Sequence, residues 1–282
     1  MLGQLIEAGA NVFRLNMSHS KHDWVREVVF RIRRKAAELK ANVAILFDLQ
    51  GPSIRTGDLM EPYHLKKGDT VEIRLGTAKP ELPFSTTVNY DGLLQDVQAG
   101  HTMVVDNGGI LMRIAEVRPD RLICDVLTEG VFGSRRHINL PGVALRLPAL
   151  TEKDLADLAV AVECETDYVA MSFVRDAAHI AQLREHIDNL GGKAQIVAKI
   201  EDQQAVRHID DIILAADVIM VARGDLGIEV SIEELPIIQR RIVRHCHRLG
   251  RRCIVATHML ESMITQPNPC LLYTSPSPRD TR

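Results

Sequence analysis

Tyr168-Val169-Ala170-Met171-Ser172-Phe173 is an apolar run that ends in a hydroxyl and an aromatic ring, and three further runs of the same kind follow it. They are Ile196-Val197-Ala198-Lys199-Ile200, Val218-Ile219-Met220-Val221-Ala222 and Cys253-Ile254-Val255-Ala256. Runs this short, continuous and rich in β-branched residues read as buried strands. A helix-like segment precedes each one, and strands separated by helices imply a parallel sheet. The segment before residue 168 opens with Thr151-Glu152-Lys153-Asp154, which places an acid at the capping-box position. Upstream the same alternation is present: a helix end over 2–8 stopped by Gly9, a strand over 11–15, an amphipathic helix over 23–39 and a buried strand over 43–49.

Between these two regions the texture changes. Short β-rich runs over 71–75, 103–105, 111–117 and 122–127 are punctuated by Lys67-Gly68-Asp69, Gln98-Ala99-Gly100 and Asn107-Gly108-Gly109. No long helical period intervenes, so residues 56–147 read as a small β-barrel or sandwich inserted into the alternating fold. The expected fold class is α/β: a TIM-type β/α barrel over 1–55 and 148–269, interrupted by that β domain. Residues 270–282 have neither a helical nor a strand period, and Pro276 and Pro278 forbid a helix there. We read them as a non-native tail.

Composition narrows the function classes. With 37 acidic and 34 basic residues the formal charge is −3, which gives no reason to expect nucleic acid or an anionic membrane as partner. The basic clusters at 31–35 and 248–252 read as solvated helix faces. Cys124, Cys164, Cys246, Cys253 and Cys270 form no CxxC pair, so reduced thiols are expected rather than disulfides or a zinc site. His245, Cys246 and His247 are adjacent on a helix and point in different directions, a poor chelate. No signal-peptide pattern and no membrane-length apolar run are present, so the sequon Asn16-Met17-Ser18 is set aside and the expected compartment is the cytoplasm.

In a β/α barrel, side chains at the carboxyl ends of the strands converge on one site. Lys199 and Glu201 lie two apart on a strand and share a face. Such a pair reads either as a solvated strand edge or as buried functional charge; the apolar Ile196-Val197-Ala198 points to burial, where unpaired charge is costly. Asp225 follows a fully apolar strand in a Gly-flanked turn. With Glu201 it offers two carboxylates to a hard cation such as Mg²⁺, which completes its shell with water and substrate oxygens. Gly224 and Gly227 permit close backbone approach, and a helix starting at 226–229 would aim N–H groups at an anion. The alternative for Arg223-Gly224-Asp225-Leu226-Gly227 is a plain tight turn. No Walker-A or GxGxxG pattern is present.

The motifs become specific in combination. Arg14-Leu15-Asn16-Met17-Ser18-His19, Asp48-Leu49-Gln50-Gly51-Pro52-Ser53-Ile54-Arg55, Asn139-Leu140-Pro141-Gly142, Leu150-Thr151-Glu152-Lys153-Asp154, Lys199-Ile200-Glu201 and the stretches 220–227 and 256–263 occur in this order. Together, from Met1 to about Pro269, they resemble the pyruvate kinase family. The resemblance implies a (β/α)₈ barrel, a β-barrel lid, a C-terminal regulatory domain and a homotetrameric parent. It implies phosphoryl transfer from phosphoenolpyruvate to ADP, giving pyruvate and ATP. It assigns Glu201 and Asp225 to Mg²⁺, Lys199 to the phosphoryl group and the forming enolate, and Thr257 to the proton-donation side. Ala222, Arg223 and Gly224 are matched to the backbone holding the substrate carboxylate, with Ser172 and Asp225 also at the substrate. Arg14 and Arg55 match phosphate-contacting arginines; Asp106 and Arg136, with Arg55, match the nucleotide side. Asn16, Ser18 and Asp48 match ligands of a monovalent cation, K⁺.

The pattern also departs from the family. Ser53 stands where potassium-dependent members carry Glu and independent ones usually carry Lys, and Leu49 and Gln50 resemble the independent group. His258 replaces the usual Gln after Thr257, and Asn107 replaces a common Asp in the lid. The family's first strand is expected before Met1, and its eighth strand and C-terminal domain after Pro269. A barrel without them has two raw edges, so the polypeptide alone is expected to be poorly soluble or inactive. Two other readings compete: a different phosphoenolpyruvate or oxaloacetate barrel enzyme, which the inserted β domain before Asn139-Leu140-Pro141-Gly142 argues against, and a non-catalytic fragment or binding protein.

Overall fold

The computed structural model describes residues 1–106, 108–231 and 233–257. Asn107, His258, Cys270 and the 270–282 stretch lie outside the described residues. The chain opens with α1 (Leu2–Glu7), β1 (Val12–Asn16), α2 (His22–Glu38) and β2 (Ala44–Asp48). A β-rich region follows: β3 (Tyr63–Leu65), β4 (Thr70–Arg74), β5 (Phe84–Thr87), the short α3 (Leu93–Asp96), β6 (Thr102–Val105), β7 (Ile110–Val117), β8 (Arg121–Val126), β9 (Gly130–Phe132) and β10 (Ile138–Asn139). Alternation then resumes with α4 (Glu152–Glu163), β11 (Tyr168–Met171), α5 (Ala177–Asn189), β12 (Gln195–Ile200), α6 (Gln203–Arg207), α7 (Ile209–Ala215), β13 (Val218–Val221), α8 (Arg223–Glu229), α9 (Leu235–Arg248) and β14 (Arg252–Val255).

The first sheet runs β1-β2-β11-β12-β13-β14, and every neighbouring pair is parallel. Its spatial order is its chain order. That singly wound sequence belongs to a β/α barrel and not to a doubly wound sheet, where the order reverses at a switch point. Among the described residues β1 and β14 remain the two edges, so the barrel is an open arc. Val12, Ile254 and Val255 are exposed along those edges.

Period-two alternation gives this sheet two different faces. Ile45, Phe47, Val169, Met171, Ile196, Ala198, Ile219 and Val221 pack against the apolar stripes of the helices, such as Val25, Val29 and Ile32 of α2 and Ile180, Leu183 and Ile187 of α5. The opposite face carries only a small cluster of Leu46, Ala170, Val197, Val218 and Met220. Lys199, two residues after Val197, lies on this inner face just beyond the apolar layer. α4 starts as its sequence requires: the Thr151 side chain accepts from the Asp154 N–H, and the Asp154 carboxylate accepts from the Thr151 N–H at 2.8 Å.

The β-rich region forms a six-stranded sheet, β10-β6-β7-β8-β4-β5, and a separate pair, β3-β9. They close on one core that includes Ile73, Met103, Met112, Ile114, Leu122 and Phe132. All pairs are antiparallel except β4 and β5. The return between those two is pinned by buried Glu72, whose carboxylate accepts from Arg121 at 2.8 Å and from the Glu81 N–H at 2.7 Å. A buried carboxylate is tolerable there because it is both paired and hydrogen-bonded.

One expectation is corrected by the structure. The helix expected to begin at 226–229 begins at Arg223, so Gly224, Asp225 and Gly227 lie inside α8 and not in a turn before it. Leu226 is fully buried, and the Arg223 guanidinium donates to the carbonyls of Ala256 and Thr257. Those tertiary contacts outweigh the low helix propensity of two glycines. The thiols of Cys124, Cys164, Cys246 and Cys253 are free. No described helix is long and apolar enough to cross a membrane.

Candidate active site

A cleft of about 390 Å³ opens over the carboxyl ends of β1, β2, β11 and β12, beneath residues 135–137 of the β region. Its floor is set by strand register. Asn16 pairs with Asp48 across β1 and β2, and Ala170 pairs with Asp48 across β2 and β11. Residues from separate strands therefore end at one level.

Lys199 is the centre of the polar floor. Its ammonium donates to Ser172 Oγ at 2.7 Å and lies 2.8 Å from Glu201 Oε1 and 3.3 Å from Asp48 Oδ1. The residue is only 9% exposed and Glu201 only 1%. Burial works against the charged lysine, but the carboxylates of Glu201, Asp48 and Asp225 outweigh it and hold the ammonium above the usual lysine range. Burial pushes the Glu201 carboxyl up; Lys199 opposes the shift and the Asp225 charge adds to it. Ser172 is itself oriented, because its hydroxyl donates to the Leu49 carbonyl at 2.8 Å.

Arg14 reaches across the floor and donates from Nε to Asp48 Oδ2 at 2.6 Å. Asp48 thus stands between two cations, and its Oδ1, though 3.3 Å from the Lys199 ammonium, has no hydrogen-bond partner among the described residues. Asn16 Oδ1 accepts from the Ser18 N–H at 3.0 Å. All three members of the expected monovalent-cation set line or border this cleft.

The β region supplies the roof. Asp106 and Arg136 pair at 3.2 Å, and Arg55 donates to the Arg135 carbonyl at 3.1 Å. Asp225, from the first turn of α8, also lines the cleft. Ala222, Arg223, Gly224 and Thr257 do not line this cleft; the first three precede Asp225 directly in the chain. The Arg223 side chain is committed to the turn after β14, where it donates to the Ala256 and Thr257 carbonyls. A Cβ on Gly224 would meet only Thr257 Oγ1, at 3.7 Å, which sets these two residues face to face. Thr257 has φ +79°, a strained value for a β-branched residue.

Among the described residues no group of three or more His, Cys, Asp or Glu stands ready to hold a metal ion by itself. The donor set still suits Mg²⁺: two carboxylates, Glu201 and Asp225, face one cleft, and Mg²⁺ takes one or two carboxylates and fills its octahedron with water and substrate oxygens.

Sequence reasoning missed two members of this site. The Phe173 N–H donates to Glu201 Oε2 at 2.7 Å, and the His137 ring lies in the cleft wall. Phe173 was visible only as the end of its strand; His137 stands two residues before Asn139 and carried no signal of its own.

Comparisons with known proteins bear on the family. Residues 1–274 match the family described as pyruvate kinase, barrel domain. The chain is 40% identical over 272 residues to plastidial pyruvate kinase 2 of Arabidopsis thaliana, covering 95% of this chain and 46% of that protein. It is 39% identical over 271 residues to pyruvate kinase of Clostridium perfringens (95% and 57%), and 39% identical over 272 residues to that of Geobacillus stearothermophilus (95% and 46%). The chain spans about half the length of the curated relatives it matches. An inner-face lysine among three carboxylates, a singly wound parallel arc and a match over nearly the whole chain converge: this chain belongs to the pyruvate kinase barrel-domain family.

Proposed function

We propose that this chain carries the phosphoryl-transfer site of an enzyme that moves phosphate from phosphoenolpyruvate to ADP, giving pyruvate and ATP. The observation that carries the reading is the buried ammonium of Lys199, held among Ser172, Glu201 and Asp48 at the carboxyl end of the strands. Phosphoryl transfer needs positioning and charge neutralisation more than covalent chemistry. Lys199 supplies a fixed positive charge for the phosphoryl oxygens and for the enolate left behind, and Arg14 supplies a second. Glu201 and Asp225 would hold Mg²⁺, which would supply further positive charge at the phosphoryl group. The backbone of Ala222, Arg223 and Gly224 binds the substrate carboxylate, and the Thr257 hydroxyl stands on the side from which the enolate takes its proton.

In the same reading residues 56–147 are a lid. Arg55, Asp106 and Arg136 meet the nucleotide, and closure excludes water from the transferred group. A monovalent cation at Asn16, Ser18 and Asp48 is a second element; the cationic partners of Asp48 and the residues Leu49, Gln50 and Ser53 favour turnover without K⁺. Soluble substrates suit a cytoplasmic homotetramer as parent.

Coupled detection of pyruvate on the completed gene, with and without ADP, tests the reaction. Turnover that needs ADP and Mg²⁺ and persists when tetramethylammonium replaces K⁺ is expected. For this chain, calorimetric binding of phosphoenolpyruvate that requires Mg²⁺ and is lost in Glu201→Gln supports the site; absence of such binding by the wild-type chain favours a non-catalytic role.

A further inference from the structure

The cleft shares a wall with a second cavity of about 310 Å³ that runs between the 137–147 segment and the turns after β11 and β12. Among the described residues only His137, Phe173 and Glu201 border both spaces. They form one chain of contacts. The rings of His137 and Phe173 lie 5.8 Å apart, tilted by 59°, and the Phe173 N–H donates to Glu201 Oε2 at 2.7 Å.

Phe173 holds φ +54°, the left-handed region that a bulky residue rarely occupies. Such a conformation persists only where the surroundings enforce it. The hydroxyl of the preceding Ser172 is tied to the Leu49 carbonyl, and Gly51 presses so close that a Cβ there would stand 3.1 Å from the Phe173 ring. His137 is a further neighbour, and its backbone is tied into the β region. Its carbonyl accepts from the Asp106 N–H at 3.0 Å, and its backbone bridges to Arg55.

We propose that His137 is a positioning residue: by packing its ring on Phe173 it holds the left-handed turn that aims the Phe173 N–H at Glu201, so that seating of the β region is transmitted to a metal-ligating carboxylate. The inference rests on the reading of Glu201 as a Mg²⁺ ligand. It requires the planar ring of His137 and not its charge. Partners that orient a ligating carboxylate are worth a substantial factor in metal affinity.

The test uses this chain, with Mn²⁺ as the probe followed by electron paramagnetic resonance, and with hydrogen exchange of the Phe173 amide in metal-free protein. His137→Ala is expected to weaken Mn²⁺ binding about tenfold and to speed Phe173 exchange about tenfold, whereas His137→Phe stays within about twofold of wild type in both. Protection at Met112 and Ile114 reports whether the β region of each variant is folded. Should His137→Ala lose it, His137→Asn, polar and ringless, takes its place with the same expected losses. Wild-type Mn²⁺ affinity and Phe173 protection in the ringless variant overturn the proposal, as does a His137→Phe protein that behaves like the ringless one. If the wild-type chain binds no Mn²⁺, the metal reading falls, and Phe173 exchange in the metal-free variants alone decides whether His137 holds the turn.

Discussion

Lys199 Nζ lies 2.8 Å from Glu201 Oε1, two positions along one strand face, with both side chains almost wholly out of water. Removing one partner of a buried pair leaves an uncompensated charge, so Lys199→Met is expected to lower the unfolding free energy at pH 8 by about 3–5 kcal/mol. Urea denaturation measures it. Burial raises the Glu201 carboxyl and Lys199 opposes that rise, so without Lys199 lower pH favours the neutral acid, and the deficit should shrink at pH 5. Adding Glu201→Gln to Lys199→Met should recover part of the loss at pH 8. A deficit unchanged between pH 5 and pH 8 would contradict the assignment.

Glu229 is pushed up to about 7, first by burial, with the charges of Asp202 and Asp225 adding and the hydrogen bond from Asn139 opposing. The folded protein therefore binds more protons than the unfolded chain between the ordinary carboxyl range and about 7. Where the native state binds more protons, stability falls as pH rises. The contribution is present below the unfolded pKa and is lost as pH approaches the raised folded value. Glu229→Gln, neutral throughout, should gain about 2 kcal/mol on wild type at pH 8 and nothing at pH 4. Thermal melts across that range give the answer.

Gly51 has φ +71°, and a Cβ there would stand 2.9 Å from Ser172 Cβ and 3.1 Å from the Ser172 carbonyl oxygen. Gly142 has a similar φ of +78° with nothing within 4 Å. Gly142→Ala is expected to cost the backbone term alone, about 1–2 kcal/mol. Gly51→Ala adds overpacking against Ser172 and should cost about 1–3 kcal/mol more. Because Ser172 holds the Lys199 ammonium, only the Gly51 variant should also weaken binding of phosphoenolpyruvate.

Gly224 offers the opposite case. Among the described residues only Thr257 Oγ1 stands within 4 Å of its Cβ position, and Gly224 lies in the first turn of α8. Gly224→Ala should raise stability by up to about 1 kcal/mol, since glycine is a poor helix residue. The same methyl would stand where the substrate carboxylate is proposed to bind, so affinity for phosphoenolpyruvate should fall while the melting temperature rises. Calorimetry paired with a thermal melt separates the two effects.

Much of the site was readable along the chain. The spacing of Lys199 and Glu201 fixed a shared face because strand side chains alternate with period two, and the apolar residues before them announced burial. Thr151 and Asp154 announced their own cap. The start of α8 was misread because Gly224 and Gly227 locally favour a turn. The helix forms since Leu226 is buried and Arg223 is tied to Ala256 and Thr257, partners about thirty residues away in the chain. The parallel placement of β5 beside β4 was equally hidden, for it depends on Glu72 meeting Arg121 and the Glu81 N–H.

The sequence by itself determined the β/α alternation, the inserted β region and the choice of Lys199, Glu201 and Asp225 as candidate site residues, because hydrophobic period and residue type are local properties. The tertiary structure alone decided which neighbour each charge meets: that Asp48 stands between Arg14 and Lys199, that Phe173 turns left-handed to reach Glu201, and that His137 of the β region packs on it. Those outcomes depend on strand register and on one domain resting on another. Contacts between residues tens of positions apart leave no periodic trace in the chain that makes them.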